Sequence, residues 1–462
     1  MAENDQVLQW IKSTEFTLAP AVDTHVWGDE EGDDGATEAQ PHRRPLKRAR
    51  IESPSTDSSY LYPEPPVADQ ATQTMGLDDD DDWTSTPEVE PLRKNTTDYL
   101  SALETPVHIE PWDLETFKQD PGWTSVERLY EGIMKSKQLC GVVPGEIRDM
   151  FTTLHGDLFK PAASAHYFRA PSGSSSSKDV YGFTACDRAK IELLLLEDVQ
   201  QEASLSELYA RQECGWMTNV YAPLLRHVYE GDVRAEAIMT ATIELDSIPL
   251  IKTTRDGPGT LSIAISDESS ISLAQSRSNI KLIDYVLVVD LPKDCPLEKS
   301  IHDLIMKDAG NGRPHVNQTG YLSIHESLIA ASIVAEQTSS GVDPLIQLGI
   351  WIAAWEKRMR SLRDKVYVTK TAGLLGKPLH QEIRKYEAGK RLITVPLIII
   401  TGDDWKMYFA SFNEVNITLH GPLFIGYTGT ILQVYALVAS LRAIAVWIRT
   451  EFKPAMEAWF MC

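Results

Sequence analysis

The sequence predicts an α/β fold, a mixed sheet flanked by helices, preceded by a long acidic tail. Three observations predict it. From about residue 200 onward, segments with helical and strand character follow the order α-β-β-β-α-β, which implies a mixed sheet with helices against it. The stretches Lys281–Val289, Ser327–Ala335 and Ile393–Ile400 are short apolar runs rich in β-branched residues, as strands are. Residues 18–105, by contrast, combine acidic clusters with many Pro, Ser and Thr and few large apolar side chains. Such a segment buries too little surface to offset the entropy of ordering it.

Taken in order, residues 1–17 hold one short helix candidate around Val7-Leu8-Gln9-Trp10-Ile11, and a disordered tail then runs to residue 105. Residues 106–200 read as a helical accessory region, broken at Pro121-Gly122 and at the Ser/Gly stretch 171–177. The main domain, 201–462, opens with a helix over 203–230 that Pro223 kinks or breaks. Strand candidates follow at 237–244, 260–266 and 280–290. A long connection with Gly310, Gly312 and Pro314 leads to a strand at 327–335. Asp343 and Pro344 start a helix over 343–364. A basic linker over 365–391, a strand at 393–401 ending at Gly402, a further sheet edge through 405–420 and a helix over 429–451 complete the chain.

Charge divides the chain unevenly. Of 66 Asp and Glu, 22 lie in residues 1–100, with 8 of the 44 Lys and Arg, so that fifth carries −14 of the net −22. The run Asp78 to Asp82 reads as a solvated, self-repelling linker, and the tail as a whole as a segment that binds protein partners. Within it, His42-Arg43-Arg44-Pro45-Leu46-Lys47-Arg48-Ala49-Arg50 stands alone as a basic island. That pattern points to a nuclear localisation signal engaging an import receptor, with a chance basic patch as the alternative. The five cysteines form no CxxC and no Cys/His cluster of zinc spacing; with no secretory start, reduced thiols in an intracellular compartment are expected. No membrane span is expected: 392–401 is too short, and 428–448 carries Gln433, Ser440 and Arg442.

Several stretches, in order, carry a resemblance. They are Glu213-Cys214-Gly215-Trp216 with Pro223-Leu224-Leu225, Met239-Thr240-Ala241-Thr242-Ile243, Lys281-Leu282-Ile283-Asp284-Tyr285 and His315-Val316-Asn317-Gln318-Thr319-Gly320-Tyr321. Gln347-Leu348-Gly349-Ile350-Trp351-Ile352-Ala353-Ala354-Trp355 and Gly402-Asp403-Asp404-Trp405-Lys406 follow. Over roughly residues 120–460 the chain resembles the PD-(D/E)XK nuclease-like domain of many fungal proteins, a restriction-endonuclease-like αβββαβ core.

The resemblance implies a site. Such nucleases hold Mg²⁺ or Mn²⁺ on paired carboxylates, with a lysine beside the attacking water. Glu-x-Lys at the end of one strand supplies acid and lysine together, because alternate strand residues share a face. Here those positions read Val334, Ala335 and Glu336. The resemblance leaves Asp284, Glu336 and Glu213 as candidate metal ligands, and Asp284, Glu336, Gln347 and Lys406 as candidate catalytic residues. Lys281, three residues from Asp284, faces the wrong way on a regular strand. Trp351 and Trp355, at helical spacing, read as core. Three outcomes stay open: a nuclease fold whose cleavage is weak or lost and which binds DNA, RNA or protein; an active nuclease with migrated residues; or a nuclear scaffold working through its tail. The basic run from Lys357 to Arg391 is either one wall of a nucleic-acid groove or a solvated helix face.

Overall fold

The computed structural model describes residues 96–156, 164–171, 178–250, 283–309, 314–336, 343–389 and 391–461. These lie in one unit spanning Asp82–Cys462. In chain order the elements are β1 (Val107–Glu110), α1 (Leu114–Phe117), α2 (Glu127–Lys137), α3 (Arg148–His155), α4 (Ala185–Leu208), α5 (Glu213–Trp216), α6 (Ala222–Val228), β2 (Val233–Ala237) and β3 (Tyr285–Val289). Then come α7 (Pro296–Asp308), β4 (Leu328–Glu336), α8 (Pro344–Thr371), α9 (Lys377–Ala388), β5 (Val395–Thr401), β6 (Asp404–Phe412), β7 (Ile417–Tyr427), α10 (Ile431–Trp447) and α11 (Lys453–Met461). The strands form one mixed sheet in the order β1-β7-β6-β5-β4-β3-β2. The β1–β7 and β4–β5 pairs are parallel and the other pairs antiparallel.

Every residue of β3 is buried, as are all but the last of β4 and of β5, so their unbroken apolar runs match a sheet covered on both faces. A parallel β4–β5 pair needs a crossover, and α8 supplies most of it. Asp343 caps α8 by accepting from the Leu345 N–H at 2.8 Å, and Pro344 occupies the first turn, where its missing N–H costs nothing. One face of the sheet meets α8: Trp351 Nε1 donates to Ser332 Oγ at 3.0 Å, and Trp355 packs on Phe412. Gly349 allows a close approach, since a Cβ there would sit 2.5 Å from Leu100 Cδ2. The other face meets the α4–α6 layer. Tyr285 Oη donates to the Met217 carbonyl, and Trp405 lies edge-on to Tyr221. α10 packs over β7 and α2 and is tied to α4 by Arg442 and Glu192. The stretch Ile431–Met461 is long and apolar enough to cross a bilayer, but 67% of its most apolar window is buried inside the protein.

Several expectations change. The helix expected over 203–230 begins at Ala185, stops at Leu208 and resumes at Glu213. Pro223 is accommodated by a π-helical turn, Met217–Tyr221, that hands over to α6 with the proline in its first turn. The Thr-rich stretch 237–244 is no strand; the edge strand β2 precedes it, and Ile238 and Ala241 turn the chain back. The candidate at 260–266 lies outside the described residues, as do residues 1–95 with the 42–50 island. The connection 290–327 contains α7, and the linker 365–391 is the end of α8 followed by α9. Residues 96–101, assigned to the tail, are helical, and Thr96 Oγ1 donates to Asp343 Oδ2 at 2.7 Å. The segment after them adds β1 to the sheet's edge.

Candidate active site

Asp284 stands immediately before β3, and its backbone already belongs to the sheet. Its N–H donates to the Ile333 carbonyl at 3.0 Å, and its carbonyl accepts from Ile238 at 2.9 Å. The side chain is 1% exposed, and Oδ2 accepts the Ala335 N–H at 2.7 Å. The β3–β4 register pairs Tyr285 with Ile333, and one further step sets Asp284 opposite Val334. Val334 is 2% exposed. The register then pairs Val334 with Ile399 and Ile399 with Lys406. Asp284, Val334, Ile399 and Lys406 therefore make one row across four strands. Three interstrand spacings separate Asp284 from Lys406, about 14 Å, which is further than one lysine side chain reaches.

Glu336 ends β4 on the same face as Val334, as the alternation predicts. It is half-buried and registered with Thr401, whose Oγ1 donates to its Oε2 at 2.7 Å. No ion pair joins Glu336 to Lys406. Gln347 lies one helical turn before Trp351 on the same side of α8. Trp351 reaches Ser332, two residues before Val334 on β4, and Gln347 stands one turn nearer the start of α8.

Glu213, the first residue of α5, belongs to the layer that covers the opposite, Tyr285 face. There two phenols feel concentrated negative charge. Burial, and then the Asp284 carboxylate, push Tyr285 up to about 12. Burial, followed by Asp403 and Glu213, pushes Tyr221 up further still, and its hydroxyl donates to the Gly402 carbonyl at 2.6 Å. Asp403 itself is raised by burial and by its acidic neighbours Asp404 and Glu207. Asp403, Tyr221 and Tyr285 were not among the expected site residues. A signal for two of them was present, since Asp403 and Tyr285 directly adjoin Asp404 and Asp284 in the motifs quoted above; Tyr221 lies in none of those motifs.

The basic run is largely engaged by other parts of the domain. Lys357 donates to Glu104 and to the Ile248 carbonyl. Arg358, 2% exposed, is held by Asp308 at 2.7 Å and Asp246 at 3.4 Å. Arg360 pairs with Glu356 and Lys365 with Asp308, while Lys370 donates to the Met461 carbonyl. Arg363 stacks on Trp459 with its guanidinium 4.0 Å from the ring centre. Lys385 and Arg391 pair with Glu382 and Asp120. A cleft of about 770 Å³ opens beside the C-terminal half of α8, away from Gln347, and Lys357, Arg360 and Lys365 on its wall are among these paired cations. Arg358 and Arg363 are buried and the other named cations have partners within the domain, which fits neither a solvated face nor an open phosphate-tracking wall well.

A seven-stranded mixed sheet with an acid before its second core strand, and a crossover helix laid over the third, defines a nuclease-like α/β domain. A family model described as the PD-(D/E)XK nuclease superfamily matches residues 159–453. No curated protein and no solved structure matches the chain. The chain belongs to the PD-(D/E)XK nuclease superfamily.

Nucleases of this superfamily typically use divalent metal ions. The residues here do not fit one. A hard cation needs several converging oxygen ligands. Val334, which stands opposite Asp284, offers none. Among the described residues, no three His, Cys, Asp or Glu converge on one point.

Proposed function

We propose that this chain keeps the nuclease fold but has lost phosphodiester cleavage, and that the domain works by binding. One observation carries this reading: a buried valine, Val334, stands opposite the acid Asp284, where the resemblance calls for the second metal-binding carboxylate. In this reading the Glu-x-Lys motif is degenerate, and Asp284 serves the fold by accepting the Ala335 N–H at the end of β4. Glu336 is likewise engaged by Thr401 and stands two residues beyond the position that faces Asp284. An active site rebuilt on Asp284, Glu336, Glu213 and Lys406 is disfavoured, because Val334 puts no ligand opposite Asp284 and Lys406 stands three strands, about 14 Å, along the row. The basic island 42–50 supports nuclear import as the route to the partner.

The test is direct. Purified full-length chain is incubated with single- and double-stranded DNA and RNA in Mg²⁺ or Mn²⁺. The expected result is no cleavage above a protein-free control. Cleavage that Asp284→Ala abolishes overturns the proposal.

A further inference from the structure

Where α4 meets α5, the chain holds two large apolar side chains out in water. Leu208 is 73% exposed and Tyr209 is 67% exposed. The corner is locked by a helix-ending motif. The Arg211 N–H donates to the Ser206 carbonyl at 2.9 Å, and the Ala210 N–H donates to the Glu207 carbonyl at 3.1 Å. Ala210 takes the left-handed conformation at φ 46°, a position that normally selects glycine. In such motifs an apolar residue at the Arg211 position usually folds back onto the helix. Here Arg211 instead pairs with Glu202 and donates to Ser206 Oγ, a polar closure that leaves Leu208 and Tyr209 outside the capping contact. A preorganised apolar corner loses little entropy when a partner covers it.

The surroundings define the partner's charge. Glu207 lies close enough to Asp403 to act on its carboxyl, with Asp404 beside it. Neither Asp403 nor Asp404 nor Glu207 makes an ion pair among the described residues. Half-buried Trp216 flanks the same turn, 3.9 Å from where a Gly402 Cβ would stand. The C-terminal end of α4 adds the partial negative charge of the helix dipole. Together these disfavour a phosphate backbone. They suit Lys and Arg side chains, whose aliphatic stems lie along apolar surface while their heads meet carboxylates or an indole face.

We propose that the Leu208–Tyr209 corner, rimmed by Glu207, Asp403, Asp404 and Trp216, docks a Lys/Arg-bearing, aliphatic segment of a partner polypeptide. This rests on the reading that the domain binds rather than cleaves. The nuclease assay above tests that reading separately, so the two can fail independently.

The experiment measures fluorescence anisotropy of a short labelled peptide of alternating Lys and Leu with the full chain. The triple variant E207Q/D403N/D404N is expected to weaken binding by about tenfold or more, equivalent to about 1.4 kcal/mol. L208S/Y209S is expected to weaken it comparably with charge unchanged. All these side chains lie at the surface or its edge, and unchanged thermal midpoints verify folding. A remote charge-matched variant, E127Q/E131Q/D149N, is expected to bind as the parent does. Equal weakening by the remote variant reduces the attraction to net charge and overturns the proposal. So does retention of affinity in L208S/Y209S, or a labelled single-stranded RNA binding more tightly than the peptide and losing affinity in L208S/Y209S.

Discussion

Replacing Val334 by glutamate tests the reasoning at its centre. The substitution places a carboxylate in a 2%-exposed position opposite Asp284. Losing the buried valine costs about 1.5 kcal/mol. Two carboxylates on directly opposed strand residues, about 5 Å apart, repel by about 3 kcal/mol at an effective dielectric of ~20. The variant should therefore lose about 4–5 kcal/mol and melt on the order of 10 °C lower in metal-free buffer. A divalent ion bridging the two acids would reverse much of this. At a hundredfold excess over its dissociation constant it would return about 2.7 kcal/mol. Thermal melts of the parent and V334E, each with EDTA and with Mg²⁺, read both effects. V334E should gain stability from Mg²⁺ where the parent does not, and V334E/E336K is the variant in which cleavage should reappear. The reasoning fails if V334E melts with the parent under both conditions. It fails equally if the parent gains a Mg²⁺ stabilisation that D284A removes.

Other expectations follow from named contacts. Burial alone would raise the Asp120 carboxyl, but the nearby His420 ring, hydrogen bonds from the Gly122 N–H and the Ser411 hydroxyl, and Arg391 hold it well below the usual range. A depressed folded value stabilises above the unfolded one. D120N should therefore cost about 2 kcal/mol at neutral pH, with the gap to the parent closing as pH falls below about 4, read by denaturant melts across pH. W351F removes the donor to the buried Ser332 hydroxyl and should cost about 1–3 kcal/mol by chemical denaturation, whereas W351F/S332A should recover part of that loss. R358M leaves Asp308 with one fewer cation in a nearly buried site and should cost about 3–5 kcal/mol. Its affinity for nucleic acid, read by gel shift, should stay at the parent's level.

The parts of the fold legible in sequence were those whose pattern is local. β4, α8 and β5 announce themselves by β-branched runs and by Asp343-Pro344. α9 was missed because Lys-Pro-Leu-His-Gln-Glu-Ile-Arg-Lys-Tyr-Glu-Ala is mostly charged and polar, and part of its docking is cationic, with Tyr386 meeting the Arg363 guanidinium of α8. β2 was misplaced because Val-Arg-Ala-Glu-Ala, though it alternates, is short and holds one β-branched residue, while the Thr-rich stretch after it has the higher strand propensity. At the site, alternation alone put Val334 and Glu336 on one face. What the sequence could not supply was register, a property of two strands more than forty residues apart. Register decides that Val334, and not Glu336, stands opposite Asp284.

The sheet closes on a strand from far upstream. Val107 pairs with Ile417, about 310 residues later. During synthesis β1 leaves the ribosome early and waits for most of the polypeptide before its partner exists. Until then β1 has no partner, and any extended segment of matching character can take β7's place. The nascent chain is thus exposed to edge-to-edge mispairing late in translation, and a C-terminal truncation before β7 would leave β1 permanently without its neighbour.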